Sequence, residues 1–307
     1  MKKQKNSSKR KLVPFQSDIV IEENGDISIS FLGADLVHLI GRESKQVPTS
    51  FSNKLNFHDS ECDISKDYQQ CMMCPNFCGY NRSNLTHPRC GDDKLRISNC
   101  GISFGDEDCI SKDGGSGVMF LSGCPLTCPS CINPEKVREQ GTEISVKDFV
   151  ELSFELAEKG VNNLQVLSPT VHLPYLRKAF EVLKINNFPI PIIFKSSGYE
   201  VDKEIAKLDG LVDVYCPDYK INNCSKMEKI SNVKGYHDHF LLSLSEMYRQ
   251  VGPAEYNSEG IIQKGVIVRH VKNPHLDDTE QEAILHFLNS LDKNIAVSIT
   301  DNFIELG

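Results

Sequence analysis

The sequence lacks the features that would assign it to several common classes. No apolar run approaches the ~18–20 residues that a membrane-spanning helix needs, and no apolar stretch follows the basic start closely enough to form a secretory signal. Acidic residues outnumber basic ones by 42 to 34, a formal net charge of −8, which argues against a generally basic nucleic-acid-binding protein. We therefore expect a cytoplasmic protein with neither nucleic acid nor membrane among its partners.

Positive charge is scarce but concentrated at the N-terminus. Residues 1–12 hold six basic side chains and no acidic one, a pattern that predicts a solvated tail. Short apolar runs between residues 18 and 40 predict strands, and the polar residues 41–60 indicate a linker. Residues 1–60 are therefore interpreted as a basic tail with a short N-terminal segment.

Cysteines are clustered in one part of the chain. The chain has twelve cysteines, and ten of them lie between Cys62 and Cys131. In a reducing compartment disulfides do not persist, so dense cysteines indicate metal or cluster ligation. We expect residues 61–112 to be a cysteine-rich metal- or cluster-binding segment. Because this segment shows little periodicity, we expect small apolar burial and a need for an internal metal to order it.

Strand and helix patterns alternate six times in residues 113–307. The predicted strands lie at 117–121, 164–167, 191–194, 211–215, 265–268 and 294–298. This alternation predicts a parallel sheet with right-handed crossovers. Six units are fewer than the eight of a closed barrel, so we expect a partial (β/α)6 TIM-like barrel of the α/β class, although a doubly wound sheet fits the count too. In both, active residues lie at the C-terminal ends of the strands.

The helix boundaries carry their own signals. Ser145 followed by Asp148 predicts a capped helix start, and Gly160 predicts its end. Asp278 or Thr279 is expected to cap the last helix. The other helices are predicted at 173–186, near 225–232 and at 236–250.

Three cysteines follow the first strand of the alternating region. Cys124, Cys128 and Cys131 are spaced C-x3-C-x2-C. Three thiolates can hold three irons of a 4Fe–4S cluster, which takes four cysteines when fully ligated. One iron then stays open to a substrate or cofactor, as in a catalytic zinc site. Backbone N–H groups of the loop can bond to the sulfurs and tune the cluster.

With this loop, the chain resembles the radical SAM superfamily, in an uncharacterised iron–sulfur branch related to pyruvate formate-lyase activating enzymes. The resemblance covers roughly residues 70–300, as an ordered set of segments. Besides the three-cysteine loop, the matching segments include Cys71-Met-Met-Cys74-Pro, Asn81-Arg82, Cys90-Gly91, Ser168-Pro-Thr170, Ser197-Gly-Tyr199-Glu200, Pro217-Asp218-Tyr-Lys220 and Arg269-His270.

The resemblance implies an oxidoreductase mechanism. S-adenosylmethionine chelates the open iron, and one electron from the reduced cluster cleaves it to methionine and a 5′-deoxyadenosyl radical. That radical takes a hydrogen atom from a substrate, which kinship with the activating enzymes makes a protein or peptide, although a small molecule stays open. The implied electron donor is a flavodoxin or ferredoxin.

Candidate cofactor contacts follow from their positions at the strand ends. They are Ser168, Thr170, Ser196, Ser197, Asp218, Lys220 and Arg269. Structural roles compete with this reading: Ser168 and Thr170 as turn residues, Asp218–Lys220 as a rim ion pair. His270 can instead be a structural histidine with satisfied hydrogen bonds, and Tyr199 can serve only in packing.

An upstream set of four cysteines predicts a second metal site. Cys71, Cys74, Cys78 and Cys90 can form a closed four-thiolate site for zinc or a second iron–sulfur cluster, and free thiols remain the third reading. Cys109 can replace one of the four.

The sequence departs from the family pattern at several positions, and two of them bear on function. Ser130 stands where many relatives carry an aromatic residue, and Val171 where the branch has histidine. They leave an alternative function open: a non-catalytic iron–sulfur or zinc-binding interaction protein on a decayed radical SAM scaffold.

Overall fold

The structure is a computed structural model that describes residues 17–21, 27–31, 37–39, 55–57, 64–128, 131, 133, 141–272 and 276–300. The predicted tail at 1–12, Cys62 and Ser130 lie outside the described residues, as does the side chain of Cys224. The described chain is an α/β fold with a mixed nine-stranded sheet, and a separate three-stranded antiparallel sheet precedes it.

The strands include those predicted from the alternating region. In chain order they are β1 (Ser17–Ile21), β2 (Ile27–Phe31), β3 (Val37–Leu39), β4 (Arg96–Ser103), β5 (Ser116–Leu121), β6 (Thr142–Glu143), β7 (Leu164–Leu167), β8 (Ile192–Ser196), β9 (Val214–Pro217), β10 (Glu255–Tyr256), β11 (Ile262–Val271) and β12 (Ala296–Thr300).

The helices alternate with the parallel strands from β5 onward. In chain order they are α1 (Ser65–Gln69), α2 (Asp108–Ser111), α3 (Val146–Glu158), α4 (Leu173–Ile185), α5 (Asp202–Ala206), α6 (Cys224–Ser231), α7 (Tyr236–Val251) and α8 (Asp278–Ser290), with a 3-10 turn at Thr170–His172.

Six parallel strands form the body of the large sheet. They pair in the order β5-β7-β8-β9-β11-β12, which is also their order in the chain. A doubly wound sheet reverses its strand order at a switch point, and no reversal occurs among these strands. The described sheet is not closed, because β12 lies at one end and β6 at the other.

Alternate residues of the strands enter two different apolar clusters. On β8, Ile192 and Phe194 belong to the main core, whereas Ile193 belongs to a smaller cluster with Val214 and Ile110 of α2. Side chains along a strand point to opposite faces in turn, so the main helices cover one face of the sheet and α2 covers part of the other.

The helix starts confirm one predicted cap and correct another. At α3, Ser145 Oγ accepts from Asp148 N, and the Asp148 side chain accepts from Ser145 N, so the capping box is confirmed. At α8 the N-cap is Asp277, not Asp278 or Thr279, because the Asp277 carboxylate accepts a hydrogen bond from Glu280 N at 2.9 Å.

The expectation of small apolar burial in residues 61–112 is wrong. Tyr68, Leu95, Ile97 and Ile102 are buried in the main core, and β4 pairs antiparallel with β5. The segment therefore extends the large sheet and draws order from the shared core.

Candidate functional site

The three-cysteine loop begins at the C-terminal end of β5, where the fold predicts chemistry. Gly123 has φ +90°, and a Cβ there would lie 2.8 Å from the Cys90 carbonyl oxygen. Only glycine tolerates both the dihedral and the close approach. Ser168, at the end of β7, donates a hydrogen bond to Gly123 O at 2.5 Å. The entry to the loop is therefore held by the neighbouring strand end.

The loop brings its three thiols into electrostatic range of one another. Burial raises the pKa of the Cys124 thiol, and Cys128 and Cys131 raise it further, whereas the Leu126 N–H and Lys220 lower it. Leu126 N donates to Cys124 Sγ at 3.5 Å, and Cys131 N donates to Cys128 O at 3.3 Å. Within the part of the chain that the structure describes, no group of three or more Cys, His, Asp or Glu side chains is arranged to hold a metal ion.

A buried carboxyl group joins two of the candidate cofactor contacts. Thr170 Oγ1 donates to Glu200 Oε1 at 2.8 Å, and Ser196 Oγ donates to Glu200 Oε2 at 3.0 Å. All three side chains are buried. Burial raises the pKa of Glu200 to about 7, although the two hydroxyl groups act in the opposite direction. The two hydroxyls at neighbouring strand ends are thus fixed by a group that titrates near neutral pH.

Asp218 is shared by two cations at the same edge of the sheet. Arg269 Nε lies 2.6 Å from Asp218 Oδ1, and Lys220 Nζ lies 2.8 Å from Asp218 Oδ2. Burial alone would raise the pKa of Asp218, but the two cations hold it well below its ordinary value. This ion cluster of Asp218, Lys220 and Arg269 therefore carries a net charge of +1. The predicted rim pair of Asp218 and Lys220 is therefore two of the three members of this cluster, and its carboxylate is only slightly exposed.

The remaining candidate residues differ in their contacts within the protein. Ser197 Oγ is buried and has no hydrogen-bond partner among the described residues. Ser168 adopts φ +56°, a turn-like conformation. His270 and Tyr199 have structural contacts: His270 Nδ1 lies 2.7 Å from Tyr219 O, and Tyr199 stacks on Tyr236.

The upstream cysteines border the three-cysteine loop. Cys71, Cys74 and Cys90 are buried, whereas Cys78 is exposed. Burial raises the pKa of Cys74 to about 11 and that of Cys90 to about 12, and in both cases Cys71 raises it further. Cys90 Sγ lies 3.9 Å from Cys124 O. Cys109 lies elsewhere, against the smaller apolar cluster.

Arg82 holds the upstream segment in place, and sequence reasoning missed this role. Its guanidinium is buried and donates to four backbone carbonyls, at 3.2 Å to Gly91, 2.9 Å to Val171, 2.7 Å to Cys90 and 2.6 Å to Asp92. The role of Glu200 was missed as well, although Glu200 is the last residue of the quoted segment Ser197-Gly-Tyr199-Glu200. Its place just after β8 is the signal that could have found it.

Comparisons with known proteins find distant relatives. No family model matches the chain. It is 24% identical over 261 residues to an uncharacterised protein of Methanocaldococcus jannaschii, an alignment that spans 80% of this chain and 70% of that protein. It is 27% identical over 191 residues to the pyruvate formate-lyase-activating enzyme of Staphylococcus epidermidis, spanning 57% of this chain and 69% of the enzyme. This distant similarity suggests the radical SAM superfamily.

No helix in the described ranges is both long enough and apolar enough to cross a membrane.

Proposed function

We propose that this chain is a radical SAM enzyme whose residues 113–307 form a partial (β/α)6 barrel. The observation that carries the proposal is the position of Cys124, Cys128 and Cys131 at the end of β5, in a sheet whose parallel strands follow chain order. The distant similarity to an activating enzyme supports it. In this assignment residues 61–112 carry a second metal site.

The donor set suits a 4Fe–4S cluster with one open iron. Cys124, Cys128 and Cys131 supply three soft thiolate ligands from one loop. The Leu126 N–H directed at Cys124 Sγ and the positive charge of Lys220 both favour the thiolate form. When bound, such a cluster supplies the electron that cleaves S-adenosylmethionine to methionine and a 5′-deoxyadenosyl radical.

The chain's own residues orient the methionyl end of S-adenosylmethionine. The net positive ion cluster of Asp218, Lys220 and Arg269 attracts its carboxylate, and Arg269 or Lys220 can donate to it. Ser197 Oγ, buried without a partner in the described chain, can bond to the carboxylate or the ribose. Thr170 and Ser196 donate to Glu200, and the ionised form of this carboxyl group would favour the ammonium group on that side.

We further propose a protein or peptide substrate and a flavodoxin or ferredoxin as electron donor. The substrate class is supported by the Staphylococcus epidermidis relative, whose name states that it activates another enzyme, and the electron donor is the one that the resemblance to the superfamily implies. A non-catalytic iron–sulfur or zinc-binding interaction protein is the alternative, and the following experiment separates the two.

The test is S-adenosylmethionine cleavage by protein purified and reconstituted without oxygen. With dithionite as reductant we expect 5′-deoxyadenosine from the wild type, and none from Cys128→Ala. Cys109→Ala, which replaces a thiol outside the loop that packs against the smaller apolar cluster, is the matched control and should still produce 5′-deoxyadenosine. A stable cluster that yields no 5′-deoxyadenosine would favour the non-catalytic alternative, and absence of any cluster would reject both the ligand set and the enzyme.

The second site is proposed at Cys71, Cys74, Cys78 and Cys90. The electrostatic effect of Cys71 on the thiols of Cys74 and Cys90, and the burial of these three thiols, support the proposal. The test is metal content of a Cys124→Ala/Cys128→Ala/Cys131→Ala variant. Four remaining irons would identify a second cluster and one zinc a structural site. No metal would reject the site.

A further inference from the structure

A serine from a distant part of the chain lies against one thiol of the three-cysteine loop. Ser231 Oγ is 3.2 Å from Cys128 Sγ, within the range of a hydrogen bond to sulfur. Ser231 is the last residue of α6 and is 0% exposed. Among the described residues its hydroxyl has no other hydrogen-bond partner, so this contact accounts for a buried polar group.

The same serine also anchors the loop through its backbone. Thr127 Oγ1 donates to Ser231 O at 2.9 Å, so the residue before Cys128 is fixed to the same helix end. That helix is itself held at its start, because Asn222 N and Asn223 N donate to Glu280 Oε1 of α8 at 2.6 and 2.8 Å. Ser231 therefore lies on a helix whose start is held by hydrogen bonds to α8.

The direction of the hydrogen bond between Ser231 and Cys128 is fixed once the Cys128 sulfur is a metal ligand. A metal-ligating cysteine is a thiolate and has no proton, so only the Ser231 hydroxyl can donate. A donated proton stabilises the more negative, reduced state of an iron–sulfur cluster more than the oxidised state. Hydrogen bonds to the sulfurs are one of the means by which proteins set cluster potentials.

We propose that Ser231 is a positioning residue that donates a hydrogen bond to the Cys128 thiolate and raises the reduction potential of the cluster. This rests on the proposed function, because it needs the 4Fe–4S cluster at Cys124, Cys128 and Cys131. It adds a residue that controls how readily that cluster takes up an electron from its donor.

The test is the reduction potential of the reconstituted full-length protein, followed by electron paramagnetic resonance in a redox titration. For Ser231→Ala we expect about a tenfold lower ratio of reduced to oxidised cluster at a fixed potential, which for a one-electron couple is a shift of about 59 mV to more negative values. An unchanged potential would overturn the proposal.

Two further variants separate the hydrogen bond from a general effect on the loop. Thr127→Val removes the anchor to Ser231 O but keeps the Ser231 hydroxyl, and Ser225→Ala changes an exposed residue of the same helix. Both should change the reduced-to-oxidised ratio by less than about twofold. A shift in Thr127→Val equal to that in Ser231→Ala would assign the effect to loop anchoring and reject the hydrogen bond.

Loss of the cluster from the Ser231→Ala variant and loss from the wild type lead to different conclusions. If Ser231→Ala does not retain iron, Ser231→Thr, which keeps the hydroxyl, must retain it for the proposal to stand. If the wild type itself assembles no cluster, the proposed function fails, and this is distinct from a result in which the wild type is loaded and Ser231→Ala has the same potential.

Discussion

Glu200 is a carboxyl group surrounded by hydrogen-bond donors and closed off from water. Its burial is complete, and the Thr170 and Ser196 hydroxyls satisfy its two oxygens. Desolvation still outweighs these bonds, because the pKa rises from 4.5 to about 7. The folded chain therefore binds a proton at this site more tightly than the unfolded chain does.

The pH dependence of stability follows from that difference. A carboxyl whose pKa is raised on folding contributes stability below its unfolded pKa, and that contribution is lost as pH rises through the folded pKa. Between pH 4.5 and 7 we expect the loss of about 3 kcal/mol of unfolding free energy in the wild type relative to Glu200→Gln. Urea denaturation from pH 5 to 8 measures it, with Glu204→Gln as control. Parallel pH profiles for wild type and Glu200→Gln would contradict the expectation.

Arg82 is the second residue whose replacement should have a large effect. Its planar group satisfies four carbonyl oxygens at once, which the single ammonium of lysine cannot reproduce. We expect Arg82→Lys to cost about 3 kcal/mol or more, because carbonyl groups stay buried without donors. Chemical denaturation provides the measurement.

The exposed Arg249 provides the matched control for Arg82. Arg249 forms ion pairs with Asp209 and Glu246 at the surface, where solvent and salt screen such pairs. Arg249→Lys should therefore destabilise the protein much less than Arg82→Lys. Equal effects of the two substitutions would mean that the Arg82 contacts add nothing to stability.

At the level of single residues, only part of the site could be predicted. The three cysteines at 124, 128 and 131 lie in one short loop, so their spacing is visible in the sequence. Ser231 is separated from Cys128 by 103 residues, and Arg82 from Val171 by 89. Such contacts exist only after the fold has brought distant segments together, so the local sequence around Ser231 or Arg82 does not predict these partners.

Among the elements, α3 has the most completely satisfied start. Asp148 N donates to Ser145 Oγ at 3.1 Å and Ser145 N donates to Asp148 Oδ2 at 2.7 Å. We expect Ser145→Ala to lower the free energy of unfolding by about 1 kcal/mol, because it removes the acceptor for an otherwise unpaired N–H. Denaturation measures the loss.

A conservative replacement tests the cause of that loss. Ser145→Asn keeps a side-chain oxygen at the N-cap and should recover most of the stability. If alanine and asparagine are equally destabilising, the hydrogen bond at the N-cap is not the cause.

The elements of the parallel sheet could be predicted because its strands are short continuous apolar runs and its helices repeat their apolar residues at helical spacing. The strand predicted at 211–215 lies instead at Val214–Pro217, since Leu211 belongs to the turn after α5. β4 was missed because Arg96, Ser98 and Asn99 interrupt its apolar residues within a cysteine-rich region. Pairing with β5, a non-local contact, makes it a strand.

Across the whole molecule, a buried ion pair joins the segment before β5 to the parallel strands. Lys195 Nζ on β8 lies 2.6 Å from Asp106 Oδ1 and 3.2 Å from Gln165 Oε1 on β7. Burial alone would raise the pKa of Asp106, but Lys195 holds it at about 2. The pair is therefore ionised and fixes the loop between β4 and α2 on the sheet face that α2 covers.

Removal of one member of the pair between Lys195 and Asp106 should strongly destabilise the protein. We expect Lys195→Met to lower the free energy of unfolding by about 3–5 kcal/mol, because it leaves the Asp106 charge buried and unpaired. Adding Asp106→Asn should restore part of the loss. Lys184→Met, at a half-exposed pair with Asp213, should cost much less. A double variant no more stable than Lys195→Met would contradict this reasoning.

The pairing of β4 with β5 also limits how the protein can be shortened. A minimal fragment that starts at residue 113 would keep all six parallel strands but would strip β5 of its outer neighbour. β5 is buried along its whole length. In the fragment its unpaired backbone groups and apolar side chains would be exposed at the sheet edge and would promote edge-to-edge association between copies. We therefore expect that residues 113–307 cannot be separated from the segment before them: the fragment should collect in inclusion bodies, whereas the full chain should remain in the soluble fraction.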